Sequence, residues 1–540
     1  MSLPAKGNAV GPALALFALT ALAICAVWWW LGSPSALPLS PLAGGHKLPC
    51  VSYAPFRDGQ SPLVEGTRVE PWQIDEDLAL LSRYTDCVRT YSTAEGVDEV
   101  VPTARRYGLK VLLGLWLSNK PEKNREQVAT GIALAKANAD VIAGVIVGNE
   151  VLLRGEMSVS DLIGTIREVK AQVPEPVTYA DVWEYWLRYS DVQNAVDFVT
   201  IHILPYWEDF PIPAEFAAAH VSAIRKEVAA AIPGKEIVIG EFGWPSAGRM
   251  REGARPSPSN QARALTETLA VAQRQNFRLN VIEAFDQPWK RALEGAAGGY
   301  WGIVERATGA PKFSFSGTVS DHPHWPAQAL AGVLLEMLTF CGALVARRGT
   351  PISAYLWARI AALAFLPALL FGWTLETVPV ESFSLGSSLR SLAFAATAGA
   401  APIVCAAACA SVRPLPTFSA LFVGAGERRD LLQSALGGTL VALTLLSIEA
   451  ALGLAFDPRY RDIPFAPLTA AVVPFLVVTL STPRAAGPRA TAEGIAAGVL
   501  AVSAIYVLFN ESFANWQSVW FCAGLIGLAF ILMQARDAPS

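Results

Sequence analysis

VIAGVIVGNE (141–150) decides how the first half of the chain is read. It carries no charge until its last residue and is rich in β-branched side chains, the pattern of a strand buried on both faces. Such strands belong to parallel sheets covered by helices. Glu150 closes the run, where a strand would emerge from its sheet. EIVIGEFGWP (236–245) repeats the design around Glu241.

Six more runs of this kind recur: LPCVSYAPF (48–56), CVRTYS (87–92), LKVLLGLWLS (109–118), PVTYADV (176–182), DFVTIHILPY (197–206) and LNVIEAFDQPW (279–289). Between them, stretches such as DEDLALLSRY (75–84), DEVVPTARRYG (98–108) and REQVATGIALAKANA (125–139) read as amphipathic helices. Eight strands alternating with helices predict an α/β fold, a (β/α)8 TIM barrel over residues 47–313, close to the usual size of about 250 residues. An open doubly wound sheet is the rival. No Gly-rich phosphate loop follows the first strand, which weakens its nucleotide-binding version.

The barrel region is bounded by linkers at 32–46 (GSPSALPLSPLAGGH) and 314–325. Outside it the composition changes. Only 16% of the 540 residues are charged and 53% are hydrophobic, against about 25% charged in an ordinary soluble protein. The last lysine is Lys312. Residues 326–540 are expected to form an all-α polytopic transmembrane bundle of seven helices, at about 326–346, 353–375, 389–410, 431–456, 466–482, 491–509 and 514–533. The fifth is short and bounded by proline. Residues 1–31 are expected to be an N-terminal transmembrane anchor. Gly11–Leu31 is uncharged and longer than the about 7–15 residues of a signal-peptide core, and Lys6 is the only nearby cation before it. Trp28, Trp29 and Trp30 suit the membrane interface.

Arginine placement orients the bundle. Arg347, Arg348, Arg413, Arg428, Arg429, Arg484, Arg489 and Arg536 fall in alternate connections. The opposite connections, ETVPVESFSLGSS (376–388), DPRYRDIPFA (457–466) and NES (510–512), hold only Arg459 and Arg461. The positive-inside rule then puts both termini in the cytoplasm and the barrel outside it. Glu336 and Glu449 fall within expected spans and are read as carboxyls in helix contacts or snorkelling to the interface. The net charge of −4 offers no footprint for nucleic acid.

Function in such a barrel collects at the C-terminal ends of the strands. The residues there are Tyr53 on the first run, Arg89 and Tyr91 on the second, Asn149 and Glu150 on the fourth, Tyr206 on the sixth, Glu241 on the seventh and Glu283 with Asp286 on the eighth. Two carboxyls facing each other across a barrel mouth suit glycosidic-bond chemistry. One donates a proton to the leaving oxygen, the other attacks the anomeric carbon, and unequal surroundings separate their acidities. The bland alternative is a buried ion pair with Arg89. Aromatic rings for sugar stacking are plentiful: Trp116, Trp183, Tyr185, Trp186, Trp207, Trp244, Trp289 and Trp301. Trp289 and Trp301 are expected as platforms, with ordinary barrel wall as the alternative.

VIVGNEV (145–151), IGEFGWPS (239–246) and EAFDQPWK (283–290), with RTYS (89–92) and YWGIV (300–304), resemble the signatures of glycoside hydrolase family 17. That is a family of β-1,3-glucanases and β-glucanosyltransferases built on a retaining (β/α)8 barrel. The likeness covers about residues 48–313 and none of the membrane part. It implies Glu150 as the acid/base, Glu241 as the nucleophile, and Glu283, Trp289 and Lys290 as the family's third acidic site and its neighbours. The substrate-binding set becomes Tyr53, Arg89, Tyr91, Asn149, Tyr206, Trp244, Glu283, Trp289, Lys290 and Trp301. Where the family reads Asn-x-Tyr-Pro, this chain has His202-Ile203-Leu204-Pro205, with Tyr206 as a substitute for the missing tyrosine. A retaining mechanism predicts carboxyl groups about 5–5.5 Å apart, against about 6.5–9.5 Å for inversion.

Cys50 and Cys87 precede the first two strands in an oxidising location. If Arg89 and Tyr91 point inward so does Cys87, whereas Cys50 points outward in one phase, so a bridge is left open. The other five cysteines read as apolar filler. The five histidines offer no convincing metal site, and no metal or cofactor is expected.

An outward-facing barrel has no access to nucleotide sugars, so its donor should be preformed glucan. Bacterial members of the family joined to membrane segments are associated with cyclic or branched β-glucan assembly. The expectation is an enzyme of the inner membrane with a periplasmic catalytic domain. It would transglycosylate, branch or cyclise nascent β-glucan, its partners being that glucan, the lipid bilayer and a membrane glucan synthase. Hydrolytic endo- or exo-glucanase is the first alternative. A transporter or scaffold with an inert glucan-binding barrel is the second. A processive synthase is rejected, since no cytoplasmic connection exceeds about 20 residues, too few for a nucleotide-sugar domain.

Overall fold

The computed structural model describes residues 10–42, 45–313, 315, 317–347, 351–422, 430–482 and 487–537. Arg348, Arg428, Arg429, Arg484 and Lys6 lie outside them. The chain divides into two compact units, one of Pro34–Gly248 with Gly253–Val319, the other of Met1–Ser33, Arg249–Glu252 and Ser320–Ser540.

The first unit is a closed barrel of eight parallel strands. In chain order they are β1 (Val51–Ser52), β2 (Cys87–Arg89), β3 (Lys110–Leu115), β4 (Ile142–Asn149), β5 (Val177–Val182), β6 (Val199–His202), β7 (Ile237–Phe242) and β8 (Leu279–Val281). Each pairs with its neighbour in sequence, and β8 closes on β1 through Val51 and Val281. β4 and β7 are the two runs read first, and β7 is buried along its whole length. Helices α2 (Pro71–Leu81), α3 (Val100–Arg106), α4 (Pro121–Ala137), α5 (Val159–Lys170), α6 (Trp183–Arg188), α7 (Ala214–Ala231), α8 (Pro258–Gln275) and α9 (Arg291–Gly298) alternate with the strands. Two of their starts are fixed by serine caps. Ser158 accepts from the Asp161 N–H, and Ser257 from the Asn260 N–H. Val, Ile and Leu from strands and helices merge into one core.

The stretches expected as linkers pair with each other. Ser35 and Ala36 form a short antiparallel ladder with Val319 and Thr318. The compact unit is therefore longer at both ends than the expected 47–313.

Cys50 and Cys87 form a disulfide with Cα atoms 4.4 Å apart. The parallel register explains why the phase that would have turned Cys50 outward does not occur. Val51 is opposite Val88, so Cys50 stands opposite Cys87. Side chains opposite one another on adjacent strands point to the same face.

The second unit is helical. It comprises α1 (Val10–Leu31), α10 (Trp325–Ala346), α11 (Ala354–Glu381), α12 (Leu385–Ser411), α13 (Phe418–Phe422), α14 (Leu431–Phe456), α15 (Phe465–Ser481), α16 (Thr491–Glu511) and α17 (Trp516–Met533). Among the described residues, seven of these are long and apolar enough to cross a membrane, and α15, at 17 residues, is the short fifth helix of the expected series. This is the helical content of a multi-pass membrane protein. α11 runs on to Glu381, past the expected end at 375, and leaves a short turn before α12. A capping box between Ser384 and Ser387 starts α12 there.

α1 packs on α10 and α11. Trp28 is fully buried, against the rings of His322 and Trp373. Glu336 on α10 is buried and accepts a hydrogen bond from Thr20 of α1. It is therefore a carboxyl in a helix contact. Glu449 is exposed on α14 and lines a cavity of about 250 Å³ with Arg390, Arg461 and Asp462.

Candidate active site

The backbone turns sharply where β4 ends. Gly148 has φ 90°, and Glu150 itself has φ 52°. A left-handed conformation is costly for a residue with a Cβ and is retained where the surroundings enforce it. The Glu150 N–H is fixed on the Ala180 carbonyl at 2.8 Å. Glu241 lies within β7, and its partner in register on β6 is His202. One carboxyl oxygen of Glu150, one of Glu241 and a ring nitrogen of His202 all lie within 4.8 Å of one another. The Glu241 side chain is 6% exposed and that of Glu150 is 23% exposed.

Their surroundings differ in charge as well. Arg89 Nη1 lies 3.1 Å from Glu241 Oε1 and donates to the Gly240 carbonyl at 2.6 Å, while Nη2 donates to Asn149 Oδ1 at 2.5 Å. Gly240 makes this approach possible. A Cβ there would meet Thr200 Cγ2 at 2.4 Å and Arg89 Nη1 at 3.3 Å. The Tyr91 hydroxyl lies 2.8 Å from both Glu241 Oε1 and Ser52 Oγ. Its single proton goes to the carboxylate and the serine proton to the tyrosine oxygen. Asn280 Nδ2 donates to Ser52 Oγ at 2.8 Å and to the Gly240 carbonyl at 2.7 Å, which fixes the serine in turn. Burial works to raise the pKa of Glu241. The charges of Arg89 and Lys290 and the Tyr91 hydrogen bond work against it, and the carboxyl ends below its ordinary value. Glu241 is thus held as the carboxylate that a nucleophile must be.

A third acidic group lies beside the pair. Glu283, buried, is 2.9 Å from Lys290 Nζ. Burial pushes Glu283 up to about 7 although Lys290 opposes it. Glu294 on α9 is also pushed up to about 7, by burial first, with Glu150 and Glu241 adding to the rise. Asp286 pairs with Lys312 at 2.7 Å. Trp289 is half-buried, its indole N–H on Gln287 Oε1 at 2.8 Å, and keeps ring surface open.

Three expected sugar contacts are corrected by burial. Tyr53 is 1% exposed and its hydroxyl donates to Asp77, Tyr206 has no exposed surface, and Trp244 has none and spends its indole N–H on the Arg255 carbonyl. These rings are barrel wall. The ring of Tyr206 sits among Trp207, Trp244 and Trp301, so it does not replace the family tyrosine at the mouth. Trp301 is 3% exposed, and Trp207 stacks on it at 6.4 Å between centroids. Half-buried Trp207 therefore presents the accessible face of that stack. Arg89, Tyr91, Asn149, Glu283, Lys290 and Trp289 are arranged around the carboxyl pair or its flank, as described above.

Sequence reasoning missed His202, Ser52, Asn280 and Glu294 as members of the site. For His202 the signal was its departure from the asparagine that the family carries there. For Glu294 it was a carboxylate four residues beyond Lys290, one helical turn on.

The trio Glu150, His202 and Glu241 has the donor types of a metal site. Arg89, held by Gly240 and Asn149, already brings a positive charge to Glu241 Oε1. A cation bound to that oxygen would have to displace it.

A closed (β/α)8 barrel with two unequal carboxyls at the ends of β4 and β7 defines the first unit as a glycoside hydrolase domain. Residues 50–302 match the family model described as the BtgE/BtgC glycoside hydrolase domain. The barrel is thus similar to a known glycoside hydrolase domain. Among its relatives is a glucan 1,3-beta-glucosidase of Arthroderma benhamiae, 28% identical over 263 residues, spanning 44% of this chain and 83% of the relative. A glucan 1,3-beta-glucosidase of Saccharomyces cerevisiae is 24% identical over 261 residues, with the same 44% and 83% coverage. A solved structure of a family 17 beta-1,3-glucanosyltransferase from Rhizomucor miehei is 25% identical, covers 51% of this chain and 99% of its own, and superposes with a TM-score of 0.44.

Proposed function

We propose that the barrel is a retaining enzyme of β-1,3-glucan, and that it transfers glucan chains to sugar acceptors. One observation carries the mechanism: carboxyl oxygens of Glu150 and Glu241 lie within 4.8 Å. That suits direct attack at the anomeric carbon, with carboxyl groups about 5–5.5 Å apart, better than the about 6.5–9.5 Å of inversion. Glu241, held ionised, attacks and forms a glycosyl ester. Glu150 protonates the departing oxygen, then deprotonates the incoming hydroxyl.

The substrate follows from the relatives, which are named as glucan 1,3-beta-glucosidases. The preference for transfer rests on topology. Arginine placement puts the barrel on the far side of the membrane from nucleotide sugars, at the periplasmic face if the membrane is a bacterial inner one. A glycosyl ester retains the energy of the bond it replaced, so a sugar acceptor can be joined without an activated donor. A glucan emerging from a synthase in the same bilayer would be the natural donor. Hydrolysis is the second reading, favoured by the names of the same relatives.

The test is the product profile of the purified full-length protein in detergent with a β-1,3-glucan oligomer, read by mass. Species longer than the starting oligomer are expected. Only shorter species would convert the assignment to hydrolase, and no change at all would remove the enzymatic reading in favour of an inert binding barrel.

A further inference from the structure

His202 ends β6 with its side chain 0% exposed, and its ring touches every charged group of the pair. Nδ1 lies 2.8 Å from Glu150 Oε1. Nε2 lies 3.4 Å from each terminal nitrogen of Arg89 and 3.6 Å from Glu241 Oε1. The charged groups facing the ring are thus Arg89 from β2, Glu150 from the end of β4 and Glu241 from β7, with Asp181 of β5 nearby. Asp181 is engaged elsewhere, by the Tyr179 hydroxyl and, at 2.8 Å, the Val182 N–H.

Arginine offers donors only, so the imidazole nitrogen facing it must accept. That places the ring proton on Nδ1, aimed at Glu150 Oε1. We propose that His202 is the positioning residue of the acid/base: by occupying Oε1 as a donor, it directs the transferable proton of Glu150 to Oε2. This rests on the reading of Glu150 as acid/base of a retaining glycosidase.

The proton and charge balance is simple. At the start Glu241 is the carboxylate and Glu150 carries its proton on Oε2. Glu241 bonds the anomeric carbon as the glycosidic bond breaks, and the leaving oxygen takes the Oε2 proton. Glu241 is then a neutral ester and Glu150 the carboxylate, its new charge met by the Nδ1–H already in place. The second half returns each: the acceptor hydroxyl gives its proton to Oε2, its oxygen bonds the anomeric carbon, and the ester bond breaks. One negative charge crosses from one side of the ring to the other and back. A fixed donor on the Glu150 side and Arg89 on the Glu241 side meet it in both places without reorganisation.

The experiment compares substrates that need the proton with one that does not. His202→Gln cannot present a donor where Nδ1 stands, whereas His202→Asn can. On a β-1,3-glucan oligomer, His202→Gln should lower kcat/KM about 100-fold, within the usual range for general acid–base catalysis. On a 2,4-dinitrophenyl β-laminaribioside, whose leaving group departs unprotonated, the loss should stay under about 5-fold, and His202→Asn should recover much of the oligomer rate. Covalent labelling of Glu241 by a dinitrophenyl fluorosugar should persist in both variants, which reports an intact fold. Equal losses on the two substrates, or none, would overturn the role given to His202. A wild-type protein that turns over neither substrate would instead overturn the glycosidase reading beneath it.

Discussion

Arg89 and Glu241 form a buried pair, Nη1 to Oε1 at 3.1 Å, with the guanidinium also anchored on Gly240 and Asn149. Removing one partner of such a pair leaves an uncompensated charge and costs about 3–5 kcal/mol. Arg89→Met should therefore lower kcat/KM at least 100-fold. It should also change the pH profile in a definite direction. Burial pushes the Glu241 carboxyl up, and the charge of Arg89 is among the influences that bring it below its ordinary value. Without Arg89 the acid limb of kcat/KM should move towards neutral pH. Initial rates on a glucan oligomer across pH check both statements, and an unmoved acid limb would show that Arg89 does not hold Glu241 ionised.

The assignment of roles to the two carboxyls is separable by labelling. A 2-fluoro glycosyl donor with an activated leaving group should leave a covalent adduct on Glu241 in the wild type, detectable as a mass increment on its peptide. Glu241→Gln should show none. Glu150→Gln should still form the adduct, because an activated leaving group needs no proton, but should turn it over at least 100-fold more slowly for lack of a base. An adduct persisting in Glu241→Gln would reassign the nucleophile.

What could be read in the sequence, and what could not, divides on range of interaction. The eight runs were visible because burial on both faces writes apolar, β-branched stretches into the chain itself. Glu150 and Glu241 stood out because a carboxylate ending such a run is chemically conspicuous. The state of Trp244 was not visible. Its neighbours in IGEFGWPS place it at the barrel mouth, yet its indole N–H is turned to Arg255, eleven residues on, and its ring is sealed under Tyr206. Cys50 and Cys87 needed the register of β1 against β2, which a pair of isolated strands does not specify. Ser52 and Asn280 are small polar residues within strands, and only closure of β8 onto β1 brings them together.

Glu283 and Glu294 make folding proton-linked. Both are held at about 7 in the fold, chiefly by burial, against about 4.3 for a glutamate in an unfolded chain. An acid whose folded value is raised favours folding below the unfolded value, and that favour is lost as pH rises through the folded one. Stability should therefore decline between about pH 4.5 and 7, by on the order of 3–4 kcal/mol for fully buried Glu283. Glu283→Gln, which keeps an acceptor for Lys290, should flatten that slope, and Glu294→Gln should flatten it further. Thermal unfolding of the full-length protein in detergent at pH 5, 6, 7 and 8 measures it. The slope is the readout, since absolute stability also reflects how Lys290 adapts. A slope unchanged in both variants would mean that neither carboxyl stays protonated in the fold.

The Cys50–Cys87 bridge closes a loop of 37 residues in sequence separation that contains α2 and the start of β2. Closing a loop of that length restricts the unfolded chain by about 3–4 kcal/mol in the chain-entropy treatment. Both sulfurs lie in buried residues at the foot of β1 and β2, the opposite end of the strands from Glu150 and Glu241. The bridge should thus act on stability and leave chemistry alone. Replacing both cysteines by serine should lower the unfolding midpoint by on the order of 5–10 °C, with kcat/KM at low temperature within about 2-fold of wild type. Reduction of the wild-type protein by a thiol should lower the midpoint to a similar degree and have no effect on the double variant. Loss of activity before loss of structure in the serine variant would mean that the register of β1 against β2, and through it the Ser52–Tyr91–Glu241 chain of hydrogen bonds, depends on the bridge.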